Sequence, residues 1–171
     1  MIRHVVDIYC AAKTPPILVV TGHGANAVAA ALADAEIRKV SNSDYTKGQS
    51  TSVMCGLRAP KDARAVLIGL GGQPHLTSDD IQSLLTGHAS ADPKRISIAT
   101  ISRRRGNQIV VPVALRNRLL EDPQSPDRKT CTRSNPEHVQ LHALGSCGCF
   151  TNIDTTVADN ALIAGTPEET V

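Results

Sequence analysis

Short runs rich in Val, Ile and Leu alternate along this chain with stretches of helical periodicity, and no other feature limits the fold as much. The runs cover residues 17–20 (Ile17-Leu18-Val19-Val20), 37–40, 65–70, 96–101, 109–111 and 139–141. Ile2, Val5, Val6 and Tyr9 repeat at helical spacing, in a segment that ends near Lys13-Thr14-Pro15-Pro16. Further helices are expected over residues 26–33, 50–57, 77–87 and 114–120. Thr77-Ser78-Asp79-Asp80 supplies capping residues ahead of Ile81, Leu84 and Leu85. The two runs that flank Arg103-Arg104-Arg105 predict a hairpin, and the Pro-containing stretch 121–136 predicts mostly loop. Strands alternating with helices imply an α/β fold: a mainly parallel sheet with helices on both faces, in three layers. Runs 17–20 and 65–70 are expected as buried parallel strands. A length of 171 residues fits a single domain spanning 1–171.

Only 2% of residues are aromatic, so the core must be built from Val, Ile, Leu and Ala. That scarcity also argues against single-stranded nucleic acid, which is usually gripped by stacked rings. A net charge of +2 predicts no strong attraction to nucleic acid or to an anionic membrane. No apolar run approaches the roughly 20 residues of a membrane helix. The N-terminal Met1-Ile2-Arg3-His4-Val5-Val6-Asp7 does not read as a signal peptide, so a cytoplasmic location is expected. The five cysteines are an odd set, which favours free thiols. Cys147-Gly148-Cys149 is a C-x-C pair, and a metal or redox site there is the sharper alternative.

In sheets of this kind ligands sit beyond the carboxyl ends of the strands. Three stretches stand out. Asn42-Ser43-Asp44-Tyr45-Thr46-Lys47-Gly48-Gln49-Ser50-Thr51-Ser52 places a glycine and hydroxyl groups at a helix start. Such a start offers donors to a phosphate or sugar, although the same residues cap ordinary helices. Leu70-Gly71-Gly72-Gln73-Pro74-His75-Leu76-Thr77 follows a strand and reads as a close backbone approach to a ligand, or as a tight turn. Arg104-Arg105-Gly106-Asn107-Gln108 reads as a basic turn that clamps an anion, or as a solvated hairpin tip.

In order and spacing these stretches resemble the MobA-like NTP transferase family, in particular its molybdenum cofactor (molybdopterin) cytidylyltransferase branch. Members carry close counterparts of N-x-D-Y-x-x-G-Q-S-T-S, L-x-G-D-Q-P-x-L-T, R-R-G-N-P and D-I-D-T-P. The resemblance runs from about residue 2 to residue 156. It implies a Rossmann-like fold and transfer of CMP from CTP to the phosphate of molybdopterin, with Mg²⁺ and release of pyrophosphate. It implies nucleotide and pterin small molecules as ligands and a molybdenum hydroxylase of the xanthine dehydrogenase type as partner. Carried over by motif, Gly48, Gln49, Ser50, Ser52, Gly71, Gln73 and Pro74 would bind the nucleotide. Arg105, Gly106 and Asn107 would bind the second substrate, and Asp154 would hold metal.

The chain also departs from that pattern. Gly72 stands where the G-D-Q-P motif has its metal-holding Asp. Asn152 replaces the first Asp of D-I-D-T, and Gln108 replaces the proline of the basic turn. The family's G-D-x-G-A-R segment is reduced to Pro126-Asp127-Arg128-Lys129-Thr130. Residues 1–171 contain no strand and glycine-rich loop of the L-A-A-G-x-S-x-R-M-G kind, which cradles a triphosphate. The expected domain is therefore incomplete at its N-terminus. Two readings follow: a cytidylyltransferase, or a non-catalytic pterin- or nucleotide-binding accessory module or truncated pseudo-enzyme for molybdenum hydroxylase maturation.

Overall fold

The computed structural model describes residues 1–14, 16–102, 104–121, 132–133 and 135–145. Helix α1 spans Ile2–Ala11, strand β1 Ile17–Thr21, α2 Ala25–Ala31, β2 Ile37–Ser41, α3 Gln49–Arg58 and β3 Ala65–Ile68. Then come α4 (Ser78–Ser90), β4 (Ile96–Ile101), β5 (Arg104–Pro112), α5 (Val113–Glu121) and β6 (Val139–Ala143). Helix α2 stops two residues before the end of its apolar pattern, and β3 stops at Ile68 rather than residue 70.

The helix starts follow their caps. Thr77 accepts from Asp80 N–H at 3.2 Å, and Asp80 Oδ2 accepts from Thr77 N–H at 3.1 Å, which closes a capping box on α4. Such a cap is worth about 1 kcal/mol. Helix α3 begins instead on Gly48, whose φ of 112° is open to glycine and strained for other residues.

The strands form two sheets. β1 pairs with β2 in parallel, and a four-stranded sheet has the order β3-β5-β4-β6. There β5 is antiparallel to β3 and β4, whereas β6 is parallel to β4. So β3, β4 and β6 all run one way and β5 alone runs back. The connection between β4 and β5 is too short for a crossover, which requires a dozen residues or more, so a hairpin results. Sequence reasoning placed residues 65–70 as a buried parallel strand. β3 does run parallel to β4, but its hydrogen-bonded neighbour is the antiparallel β5, and all four of its residues are only half-buried.

Alternate side chains of the larger sheet enter two cores, one on each face. Ala65, Leu67, Val110 and Ala99 meet Ile81 and Leu84 of α4 and Ile8 and Tyr9 of α1. Val66, Ile68, Ile109, Val111, Ile96 and Ile98 meet Val53, Met54 and Leu57 of α3 and Leu115 and Leu119 of α5. The period of two puts apolar residues on both faces of each strand, and helices cover both faces in three layers.

A polar knot ties β6 to α4 at the start of β4. The fully buried Ser97 Oγ lies 2.8 Å from His88 Nδ1, 3.0 Å from His142 Nε2 and 2.9 Å from Gln140 Nε2, which donates to it. A hydroxyl accepts two hydrogen bonds and donates one. With Gln140 donating, one imidazole can donate and the other must accept, so the knot favours uncharged rings. Burial lowers both histidine pKa values; at His88 the charge of His142 lowers it further and Asp92 opposes. A base depressed on folding contributes stability that is complete above its unfolded value of 6.5 and is lost as pH falls below it. The urea midpoint is therefore expected to fall between pH 7 and pH 5.5, a window above most carboxylate titrations. His88→Gln should flatten that slope, and an unchanged slope would rule the knot out as its source.

Candidate functional site

Helix α1 leads directly into β1, so its N-terminal end lies at the carboxyl end of β1. At that end His4 Nε2 is 3.1 Å from Pro74 O, and a Cβ on Gly71 would come within 2.7 Å of Ile2 Cδ1. The connection after β3 therefore reaches the same end as the connections after β1 and β2. Residues 104–108 of β5 also extend past the carboxyl end of β3, because Ile109 is already paired with Ile68.

Asn42 organises the part that follows β2. It is 7% exposed, and its Nδ2 donates to Thr51 Oγ1 and Ser52 Oγ, each at 2.9 Å. Its Oδ1 accepts from Asp44 N–H at 3.0 Å, an Asx turn that reverses the chain toward Gly48. Thr51 Oγ1 lies 3.0 Å from Asp44 O and 2.9 Å from Gly48 O. No side chain caps the first turn of α3, and Gln49 is exposed there while Ser50 and Ser52 are half-buried. The helix start thus presents backbone N–H groups beside two positioned hydroxyls, which suits a ribose or phosphate oxygen. Beside it a Cβ on Gly22 would lie 2.5 Å from Tyr45 Cβ, so only glycine lets the turn after β1 pass the Tyr45 ring. His23 stands against the same ring, with centroids 6.2 Å apart.

Asn42→Ala removes both donors and the acceptor of the turn. The expected cost is roughly 1–3 kcal/mol, read from urea denaturation, with faster amide exchange over residues 44–52. Exposed Ser43→Ala should cost little, and equal effects of the two would show that Asn42 does not hold the turn.

The connection after β3 is held from beneath. Gln73 is fully buried, and its Oε1 accepts from Gln108 Nε2 at 2.6 Å and from Leu70 N–H at 3.4 Å. Tyr9 reaches the same place, and a Cβ on Gly69 would collide with its hydroxyl. Burial pushes the Tyr9 pKa up to about 12, opposed by Gln108, so the phenol stays protonated. Sequence reasoning assigned Gln73 to the nucleotide; its side chain faces inward and shapes the loop, while Gly71 is exposed and Gly72 and Pro74 half-buried.

The basic segment is also placed differently. Arg104 to Gln108 belong to β5 rather than to a turn, because the ladder continues through Thr100 with Arg105 and Ile101 with Arg104. The reversal falls at Ser102, with a φ of 45°. Arg105 is exposed and its Nη1 reaches Thr132 O at 3.4 Å; Gly106 and Asn107 are half-buried. Asn42, Thr51, His23 and Tyr45 were not singled out as site residues. The signal for Asn42 was its place two residues before Asp44 at a strand end, an Asx-turn pattern.

These residues do not fit a divalent cation. Position 72 offers no carboxylate, Asp80 Oδ2 is spent on the α4 cap, and Mg²⁺ requires oxygen ligands at short range. Among the described residues no group of three or more His, Cys, Asp or Glu is placed to hold a metal. Asp154, Asn152, Pro126 to Thr130, Cys131, Cys147 and Cys149 lie outside the described residues, and Cys10 and Cys55 are free. No helix among the described residues is long and apolar enough to cross a membrane.

Several solved structures share this fold. A nucleotidyl transferase from Methanothermobacter thermautotroptrophicus superposes with a TM-score of 0.77 at 19% identity, over 96% of this chain and 79% of that one. Rv0371C in complex with manganese, from Mycobacterium tuberculosis H37Rv, gives 0.72 at 18% identity, over 95% and 86%. A CMP:2-keto-3-deoxy-manno-octonic acid synthetase complexed with CTP gives 0.69 at 12% identity, over 96% and 87%. No curated protein matches the chain. The Rossmann-like α/β architecture is therefore that of nucleotidyltransferases. The family model described as MobA-like NTP transferase domain matches residues 1–139, and the chain belongs to that family.

Proposed function

We propose that this chain is a cytidine-nucleotide-binding domain related to molybdenum cofactor cytidylyltransferases, whose residues 1–171 do not by themselves turn over. The observation that carries the reading is the helix start at Gly48, with Thr51 and Ser52 fixed by buried Asn42 at the carboxyl end of β2. That arrangement meets a ribose and its first phosphate oxygen. CTP is chosen over other nucleotides because the motif resembles that of the cytidylyltransferase branch, and a structural relative is complexed with CTP. Molybdopterin would lie toward Arg105, Gly106 and Asn107, with a molybdenum hydroxylase as recipient of the product.

Gly72 and the lack of a glycine-rich loop within residues 1–171 favour binding without transfer. A nucleotide held by its ribose and first phosphate alone, with the rest of its triphosphate charge uncompensated, binds weakly. Titration calorimetry with CTP and Mg²⁺ is expected to give a dissociation constant well above micromolar, less than about 8 kcal/mol of binding. Asn42→Ala should abolish the heat. Micromolar or tighter affinity would overturn the impaired-site reading, and binding untouched by Asn42→Ala would overturn the site.

A further inference from the structure

Beneath the connection after β3 lies a polar patch of core where an apolar one would be cheaper to bury. Gln73 and Gln108 are 0% and 1% exposed, and Gln108 Nε2 donates to Gln73 Oε1 at 2.6 Å. The same oxygen accepts from Leu70 N–H at 3.4 Å. The Gln108 amide also lies close enough to the Tyr9 hydroxyl to oppose the effect of burial on it. Yet Tyr9 Oη and Gln108 Oε1 complete no hydrogen bond among the described residues. Buried polar atoms in that state cost free energy, and apolar side chains of the same shape would not. Packing alone does not account for the pair.

What the pair fixes is backbone. Gln73 Oε1 draws in the Leu70 N–H three residues before it, which leaves Gly71 exposed and Gly72 half-buried between the two anchors. Two adjacent glycines have wide conformational freedom, so their course depends on those anchors. Tyr9 supports the connection where Gly69 lacks a Cβ, and His4 Nε2 meets Pro74 O at 3.1 Å on its far side. The R-R-G-N-P motif that residues 104–108 resemble carries proline where this chain has Gln108, and proline has no side-chain amide to donate. The tie from β5 to Gln73 therefore belongs to this chain's own sequence. We propose, resting on the nucleotide reading, that Gln108 is a positioning residue. Through Gln73 it sets the Gly71-Gly72 backbone that faces the nucleotide, and it does so by its amide rather than its bulk.

Methionine keeps the length of glutamine and removes the amide, so Gln108→Met and the double variant Gln73→Met/Gln108→Met separate bulk from hydrogen bonding. Gln108→Met takes a donor from Gln73 Oε1 and should lower the urea midpoint. The double variant should regain it, because both polar partners are gone. Amides of residues 69–74 should nevertheless exchange roughly tenfold faster in both variants. CTP, titrated by NMR, should bind both roughly threefold more weakly or worse, the equivalent of a lost hydrogen bond. Loop protection and CTP affinity that recover in the double variant would reduce the pair to packing and overturn the proposal. So would a double variant as unstable as the single one, since loop mobility would then follow stability. CTP affinity unchanged by Gln108→Met but lost in Asn42→Ala would overturn the role of Gln108 and leave the nucleotide reading intact. No CTP binding by the unmodified chain would remove that reading and the role with it. The double variant carries the test alone should Gln108→Met fail to fold.

Discussion

Residues 1–171 mixed with CTP, molybdopterin and Mg²⁺ will release no pyrophosphate above the background of CTP alone. Transfer at a phosphate depends on groups that offset the charge gathering on the reacting and leaving oxygens. Single groups of this kind are worth about 10³–10⁵ in rate, and two elements are affected at once. Gly72 supplies no carboxylate, and no glycine-rich loop occurs within the 171 residues. Gly72→Asp alone should therefore stay silent. A glycine-rich loop of the family kind added ahead of Met1, together with Gly72→Asp, should produce measurable release. Release from the unmodified chain would mean that other cations, such as Arg104 and Arg105 on β5, carry the electrostatic load.

Leu84→Ala should destabilise the fold by about 2–5 kcal/mol, the largest effect expected from a single truncation. Leu84 is fully buried beside Ile81, Ala99, Val110 and Leu144, where α4 closes one face of the four-stranded sheet. Removing its side chain loses apolar burial and leaves a cavity that the rigid strands cannot collapse into. Leu141, on the edge strand β6, is 54% exposed, and Leu141→Ala should cost less than about 0.5 kcal/mol. Urea denaturation at pH 7.5, above the histidine transition, separates the two. Equal costs would mean that α4 is not part of the cooperative core.

The site was partly readable because its parts are local. Gly48 before a hydroxyl-rich helix and Thr77 three residues before Asp80 announce their own backbone geometry over a few residues. The Arg104 to Gln108 segment misled because its composition is that of a turn; its ladder to β4 overrides that local preference. The burial of Gln73 was hidden for a related reason. A polar residue in a loop reads as a ligand contact unless a buried partner claims it, and Gln108 lies 35 residues away.

What the sequence alone determined is the type and order of the elements from α1 to β6, since periodicity, β-branching and caps act within one or two turns of chain. The tertiary structure decided the rest. It divided the strands into two sheets and sent β5 between β3 and β4. It also turned Gln73, Gln108, Ser97 and His88 inward. Those outcomes depend on partners far along the chain, as with Ser97 and His142, 45 residues apart. A buried polar group is tolerable only where such a partner arrives, and no local pattern encodes that meeting.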